Sequence, residues 1–215
     1  MEKLIKLEEK IGYKFKNIEI LQQALTHSSY AYSENTPSYE RLEFLGDAIL
    51  NVIIAIYIYI KMPDKNEAFL TNIKAAYINR NFLQSVGENL QLQNFVIAKG
   101  LTNYRLDQIV EAIIGAIYID GGMKESEKFI KKFLLKKEIE PLLDYKNFLK
   151  TIVWEKYKSS VHYILYKEEG PPHEKTFYIK VEVDGKQTIG KGMGTTKKEA
   201  EIKASIDFLK KMKLI

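Results

Sequence analysis

The segment Glu40-Arg41-Leu42-Glu43-Phe44-Leu45-Gly46-Asp47-Ala48-Ile49-Leu50 decides how this chain is read. Acids at 40, 43 and 47 are three and four apart, the spacing of neighbours on one helix face. The residues around them are largely apolar, and an apolar run continues from Ile49 to Ile60 before Lys61 closes it. The pattern predicts a buried core helix with three like charges on one side. That run is about a dozen residues, short of the roughly 20 a bilayer requires, so no membrane span is expected. Like charges at neighbouring helical positions repel by a few tenths of a kcal/mol in water and by far more inside packed protein. Their relief is a cation: Arg41 in a salt-bridged stripe, or a hard divalent ion such as Mg²⁺ on oxygen ligands.

A second run, Leu106-Asp107-Gln108-Ile109-Val110-Glu111-Ala112-Ile113-Ile114-Gly115, continues apolar or small to Gly122 and again embeds acids. Asp107 and Glu111 are four apart and share a face. Two such helices packed together would gather carboxylates into a divalent-metal site, of the kind that serves phosphodiester hydrolysis.

Outward from these two runs the helical period persists over 4–7, 18–25, 73–90 and 126–135. Breakers separate the runs at Asn35-Thr36-Pro37, Met62-Pro63-Asp64, Lys99-Gly100 and Asp120-Gly121-Gly122. The first part is therefore predicted to be all-α, over residues 1–142, with a hinge at Pro141 to Leu143. Residues 144–215 form a second, smaller α+β domain of α-β-β-β-α order. An amphipathic stretch from Tyr145 to Tyr157 precedes three strand-like runs, His162–Tyr166, Phe177–Val183 and Gln187–Gly192. Asp184-Gly185 signals the turn between the last two, and a final helix over 197–212 opens on a capping box of Thr196 and Glu199. Trp154 is read as core.

Composition narrows the function. The 215 residues are 46% hydrophobic and 28% charged, a folded rather than a disordered balance. With no cysteine, thiolate metal sites, disulfides and cysteine nucleophiles are excluded, and His27, His162 and His173 are too scattered to suggest a zinc site. The acidic, amphipathic start is unlike a secretory signal, so a cytoplasmic location is expected. Charge is unevenly placed. Residues 144–215 hold 15 Lys, no Arg and 10 acids, so the whole excess of +5 lies in the last third. A basic module beside a neutral one suits a polyanion ligand such as nucleic acid.

At this point the residues resemble a family. Glu40 to Leu50 closely resembles the eleven-residue signature of the ribonuclease III family, and Glu111 to Gly122 resembles its second metal-binding helix. Further matches are Thr26-His27-Ser28-Ser29-Tyr30, Glu67 with Leu70-Thr71, and Tyr77-Ile78-Asn79-Arg80-Asn81. The resemblance implies an all-helical endonuclease domain that works as a homodimer and cuts both strands of double-stranded RNA. It also implies Mg²⁺ as the ion, with Mn²⁺ as a substitute, and products with 5′-phosphate and 3′-hydroxyl ends. It places Glu43, Asp47 and Glu111 at catalytic and metal-binding positions, with Glu40 and Glu67 as accessory residues of the cleft. The family's remaining acid falls on Gln108, with Asp107 beside it. An amide can offer an oxygen to a metal but brings no charge. Gln108 is thus open to three readings: a variation in which Asp107 reaches the site by a small helix rotation, a loss that leaves an RNA-binding relic, or a substitution that traps an uncut complex. Ala68 stands where the family usually has Gly, and the segment from Lys99 to Arg105 is shorter than is common.

The C-terminal part resembles a double-stranded RNA-binding domain. Gly170-Pro171-Pro172-His173 with Phe177 matches its loop between the first two strands, and Thr196-Lys197-Lys198-Glu199-Ala200-Glu201 matches the start of its last helix. The resemblance assigns RNA contacts to His173, Thr196, Lys197 and Lys198, and lysines at a helix N-terminus suit phosphate on physical grounds as well. In the first helix Lys150 and Thr151 replace the usual Gln-Glu pair, and the lysine favours phosphate over sugar. Two function classes follow: a Mg²⁺-dependent endoribonuclease, or a catalytically impaired binder of double-stranded RNA. Gln108 discriminates between them.

Overall fold

The computed structural model of the chain describes residues 2–100, 103–136, 144–171, 173–185 and 190–215. The expected hinge at Pro141 to Leu143, Pro172 of the loop and residues 187–189 of the third strand lie outside these. Two units are resolved by their internal packing, Met1–Lys61 with Lys74–Ile139, and Met62–Ile73 with Glu140–Ile215. The short segment before Lys74 thus groups with the C-terminal unit.

The first unit is helical, as its sequence period requires. Its elements are α1 (Glu2–Ile11), α2 (Ile18–Leu25), α3 (Ser28–Glu34), α4 (Glu40–Lys61), α6 (Arg80–Asn89), a 3-10 turn at Leu92–Asn94, α7 (Leu106–Gly121) and α8 (Met123–Phe133); α5 (Glu67–Ile78) spans the division. The predicted single helix over 73–90 is in fact two. Asn79 takes an extended backbone and its side chain accepts from the Phe82 N–H at 2.9 Å, so it closes one helix and caps the next. Helix α3 had no periodic signal in seven residues; its N-cap is His27, whose Nδ1 accepts from the Ser29 N–H at 3.0 Å.

Helix α7 is the axis of this unit, buried over most of its length from Leu106 to Ile117. Its start is held by Gln84 of α6, whose Oε1 accepts from the Leu106 N–H at 2.9 Å. Its end is held by Asp120. The carboxylate accepts from the Tyr13 hydroxyl at 2.6 Å and from the Lys16 and Asn17 N–H groups, both at 2.9 Å. Across α7 lies α4, and the two backbones nearly touch. A Cβ at Gly46 would stand 1.7 Å from the Glu111 carbonyl oxygen, and one at Gly115 would stand 2.2 Å from that of Leu42. Only glycine permits this crossing.

The expectation of a buried core helix at α4 needs correction. Leu42, Gly46, Ile49, Leu50, Ile53, Ile54 and Ile58 are buried, but Phe44, Val52, Ile56, Tyr59 and Ile60 are exposed. At 22 residues it is also longer than the apolar run suggested, and among the described residues it is the one helix long and apolar enough to cross a bilayer. Packing of one face against α7 accounts for the buried half of that apolar content.

The second unit contains α9 (Tyr145–Tyr157), β1 (Val161–Glu169), β2 (Thr176–Val183), β3 (Gly190–Gly194) and α10 (Lys197–Lys211). The strands form one antiparallel sheet in the order β1-β2-β3, with a register shift between Leu165 and Lys167. Ile179, Val181 and Val183 alternate into the core, and Ala200, Ala204 and Phe208 of α10 and Leu149, Ile152 and Val153 of α9 are likewise buried. The capping box is altered in detail. Thr196 Oγ1 accepts from the Glu199 N–H at 3.1 Å, but Glu199 reaches back to the N–H and hydroxyl of Thr195, at 2.9 and 3.0 Å, rather than to Thr196.

Candidate active site and RNA-binding surface

The glycine crossing sets Glu43 and Asp47 of α4 beside Gln108 and Glu111 of α7. Glu43 is half-buried and accepts from Gln108 Nε2 at 2.8 Å. Gln108 Oε1 in turn accepts from the Tyr39 hydroxyl at 3.0 Å. This orientation of the amide is chemically forced, because an ionised carboxylate can only accept and so must face the NH₂ group. Tyr39 is buried, its ring lies 5.7 Å from that of His27, and its hydroxyl is pushed up to about 12, by burial first and then by the charges of Glu43 and Glu40. It remains a donor at any ordinary pH.

Glu111 is the most perturbed carboxyl of the group. Burial first, and then the charges of Asp47, Glu43 and Asp107, push it up to about 8. Glu43 is raised as well, by burial, against the lowering effect of the Gln108 hydrogen bond and of Arg105. Asp47 is exposed and accepts from Asn51 Nδ2 at 2.9 Å. Asp107 behaves differently. It is 4% exposed and its carboxylate is gripped by Arg105, at 2.5 Å from Nη2 and 2.9 Å from Nε. Its charge is therefore committed to an ion pair inside the protein.

Of the residues singled out in the sequence, Glu43, Asp47, Gln108 and Glu111 lie together at the crossing, while Asp107 is paired with Arg105. Glu40 is exposed, and its side chain is engaged by Ser38 Oγ at 3.0 Å. Glu67 belongs to the other unit, where it accepts from Thr71 Oγ1 at 2.8 Å. Tyr39 and Arg105 were missed. A buried Asp107 two residues from an arginine was the available signal, since a buried charge needs a partner.

The donor set suits a hard divalent ion. It offers carboxylate oxygens, and Glu111 is raised by burial first and by the charges of Asp47, Glu43 and Asp107 after it. Yet among the described residues no three Asp, Glu or His side chains are gathered closely enough to hold one ion.

In the second unit, Lys150 and Thr151 lie on the exposed face of α9, and Lys197 and Lys198 on the first turn of α10. His173 is exposed on the turn that joins β1 to β2, and it lines a shallow depression with Glu174, Lys175, Phe177 and Thr195. Lys197 Nζ lies 5.8 Å from the Phe177 ring centre, which brings the strand-connecting turn and the helix start together. The Thr196 hydroxyl is occupied in capping. Trp154, read as core, is instead 60% exposed.

Comparison with known proteins agrees with this architecture. Residues 17–138 match a family model described as ribonuclease-III-like, and residues 145–212 match the double-stranded RNA binding motif. A protein named Ribonuclease 3 from Clostridium tetani is 38% identical, over 97% of this chain and 94% of its own length. Another of that name, from Listeria innocua, is 36% identical over 93% of both chains. The solved nuclease domain of ribonuclease III from Campylobacter jejuni superposes with a TM-score of 0.58 at 30% identity, covering 63% of this chain and 96% of that domain. This chain joins a ribonuclease III-like helical domain to a double-stranded RNA-binding domain. It belongs to the ribonuclease III family.

Proposed function

We propose that this chain is a cytoplasmic endoribonuclease that cuts both strands of double-stranded RNA and leaves 5′-phosphate and 3′-hydroxyl ends. The observation that carries the reading is the cluster at the α4–α7 crossing, where buried, mutually repelling acids lift Glu111 to about 8. Glu43, Asp47 and Glu111, which stand too far apart in this structure to share one ion, would have to close on Mg²⁺, or Mn²⁺ in its place, which would supply Lewis acidity toward the phosphodiester. Gln108 would keep Glu43 oriented through the hydrogen bond it already makes. The chain acts as a homodimer through its helical domain. The uncovered apolar stripe of α4, with Phe44 81% and Tyr59 73% exposed, supports that reading, as does a study of the Campylobacter jejuni nuclease domain that describes a region involved in dimer formation. The second unit supplies affinity for the duplex.

The test is an end-labelled RNA duplex incubated with the protein in Mg²⁺, with EDTA and single-stranded RNA as controls. Short duplex products that require Mg²⁺ are expected. Glu111→Gln should abolish them while binding persists; retained cleavage would remove Glu111 from the chemistry. A second reading, a binder of double-stranded RNA without activity, is favoured by one observation: Gln108 adds no charge, and it is engaged on both sides by protein groups, Tyr39 and Glu43. If the unaltered chain binds without cutting and Gln108→Asp cuts, that second reading is correct.

A further inference from the structure

The two faces of the sheet in the second unit have different surroundings. Ile179, Val181 and Val183 turn to the buried side, so Tyr178, Lys180 and Glu182 between them turn outward. Their ladder partners share that outer face: Met193 opposite Tyr178, Ile164 and Lys191 opposite Lys180, and His162 opposite Glu182. Tyr166 stands where the β1 register shifts, and its ring centre lies 6.3 Å from that of Tyr178. Met193 is 51% exposed, Tyr166 47% and Ile164 37%. Cross-strand packing of these side chains steadies the ladder, but their outer surfaces remain in water, where folding gains nothing from them.

Charge frames this apolar centre without favouring either sign. Lys167 pairs with Glu169, Lys180 with Glu182 at 2.7 Å, and His162 with Asp184 at 3.1 Å. With Lys191, three lysines stand against three acids, so the whole excess of +5 lies on other surfaces of the unit. A polyanion such as RNA therefore gains little here. A face with an apolar middle and as many acids as lysines around it is complementary to itself.

We propose that the outer face of this sheet is a contact between two copies of the chain, sheet against sheet, with Ile164, Tyr166, Tyr178 and Met193 at its centre. A two-fold axis through the face sets apolar side chains on apolar side chains and lets lysines of one copy meet acids of the other. Three short strands offer less than the roughly 800 Å² per partner of a stable interface. The contact is therefore weak alone and rests on the homodimer proposed above, in which joined helical units raise the effective concentration of the second units. Helix α10, which carries Lys197 and Lys198, packs on the other side of the sheet, against Gly190 and Gly192, and stays free for a duplex.

The chain has no cysteine, so Lys180→Cys gives a single attachment point for a nitroxide on the middle strand. Facing sheets pack about 10 Å apart, close enough for two such labels to broaden each other's spectrum. The full chain, labelled and without RNA, should show this broadening and lose it after exchange with excess unlabelled chain. Ile164→Glu with Met193→Glu should remove it as well, since both put charge into the apolar centre, while the thermal midpoint and duplex affinity stay near those of the labelled parent. Tyr166→Glu, outside the regular ladder, serves the same purpose if that pair fails to fold. Sedimentation of each sample measures its mass and so tests the helical dimer separately. A dimeric mass without broadening would overturn the sheet contact and leave the homodimer standing; a partner of another kind would then have to cover the face. A monomeric mass without broadening would overturn both. Broadening that survives the introduced acids would also overturn the contact, because another surface would then be bringing the labels together.

Discussion

The crossing of α4 with α7 and the outer faces of α9 and α10 handle charge in opposite ways. At the crossing, where two glycines bring the helices together, Glu43 and Glu111 are partly buried, and burial first and neighbouring acids after it raise their proton affinities. On the second unit, lysines stand in solvent at helix surfaces and the start of α10, and their positions depend on little besides local helix structure. The first arrangement couples chemistry to stability. The second leaves affinity free to vary with little cost to the fold.

The sharpest way to break this contrast is Gly46→Ala. The new methyl group would meet the Glu111 carbonyl at 1.7 Å, a backbone atom that cannot move without displacing α7. Separation of the helices should cost about 3 kcal/mol or more and remove cleavage together with stability. Thermal unfolding alongside the cleavage assay checks this. A variant with native stability would show that the crossing is not tight.

Next in size is Arg105→Ala. It leaves Asp107, 4% exposed, without its counter-ion. Breaking a buried pair costs 3–5 kcal/mol, but the Arg105 side chain is 45% exposed and water can enter, so about 2 kcal/mol is expected. Removing both partners should restore most of that loss, and a double-mutant cycle measures the coupling. If the double variant is no better than Arg105→Ala, Asp107 is held by something other than this pair. On the other side of the comparison, Lys197→Ala with Lys198→Ala should leave the thermal midpoint nearly unchanged. The dependence of duplex affinity on salt should fall by about two ions, as measured across a salt series. A loss of stability in that pair would mean that the second unit couples charge to fold after all.

The two regions also differed in how far they could be read from sequence. Spacing put Glu40, Glu43 and Asp47 on one helix face and Asp107 with Glu111 on another, because helical period is a local property, but it did not separate Asp107, which turns to Arg105, from Glu111. What escaped was the partnering. The hydrogen bond from Tyr39 to Gln108 joins residues 69 apart, and no local pattern reveals which side of an amide faces a carboxylate. Asn79 hid a helix break inside an unbroken apolar period. Trp154 was assigned to the core because large aromatics usually are buried, a prior that ignores which face of the helix it occupies. Its neighbours Leu149, Ile152 and Val153 already fill the buried stripe. The exposed half of α4 was missed for the opposite reason: its residues are apolar, and hydrophobicity alone does not say what covers them.

The smallest predicted effect concerns the start of α10, where a single acid stabilises an otherwise basic region. Glu199 is held down to about 2, by the Lys203 ammonium first and then by the N–H and hydroxyl of Thr195. A carboxyl lowered on folding stabilises the protein above its ordinary range near 4.3 and loses that contribution as pH falls toward the folded value. Acid should therefore loosen the first turn of α10 between about pH 4.3 and about pH 2, and because Glu199 faces solvent the effect should shrink with added salt. Glu199→Gln keeps an acceptor for Thr195 but has no charge to lose, so its thermal midpoint should fall less steeply across that window. Parallel acid limbs for the two proteins would show that Thr196 alone holds the helix start. Lys197 and Lys198 would then be positioned by the cap and owe nothing to the acid beside them.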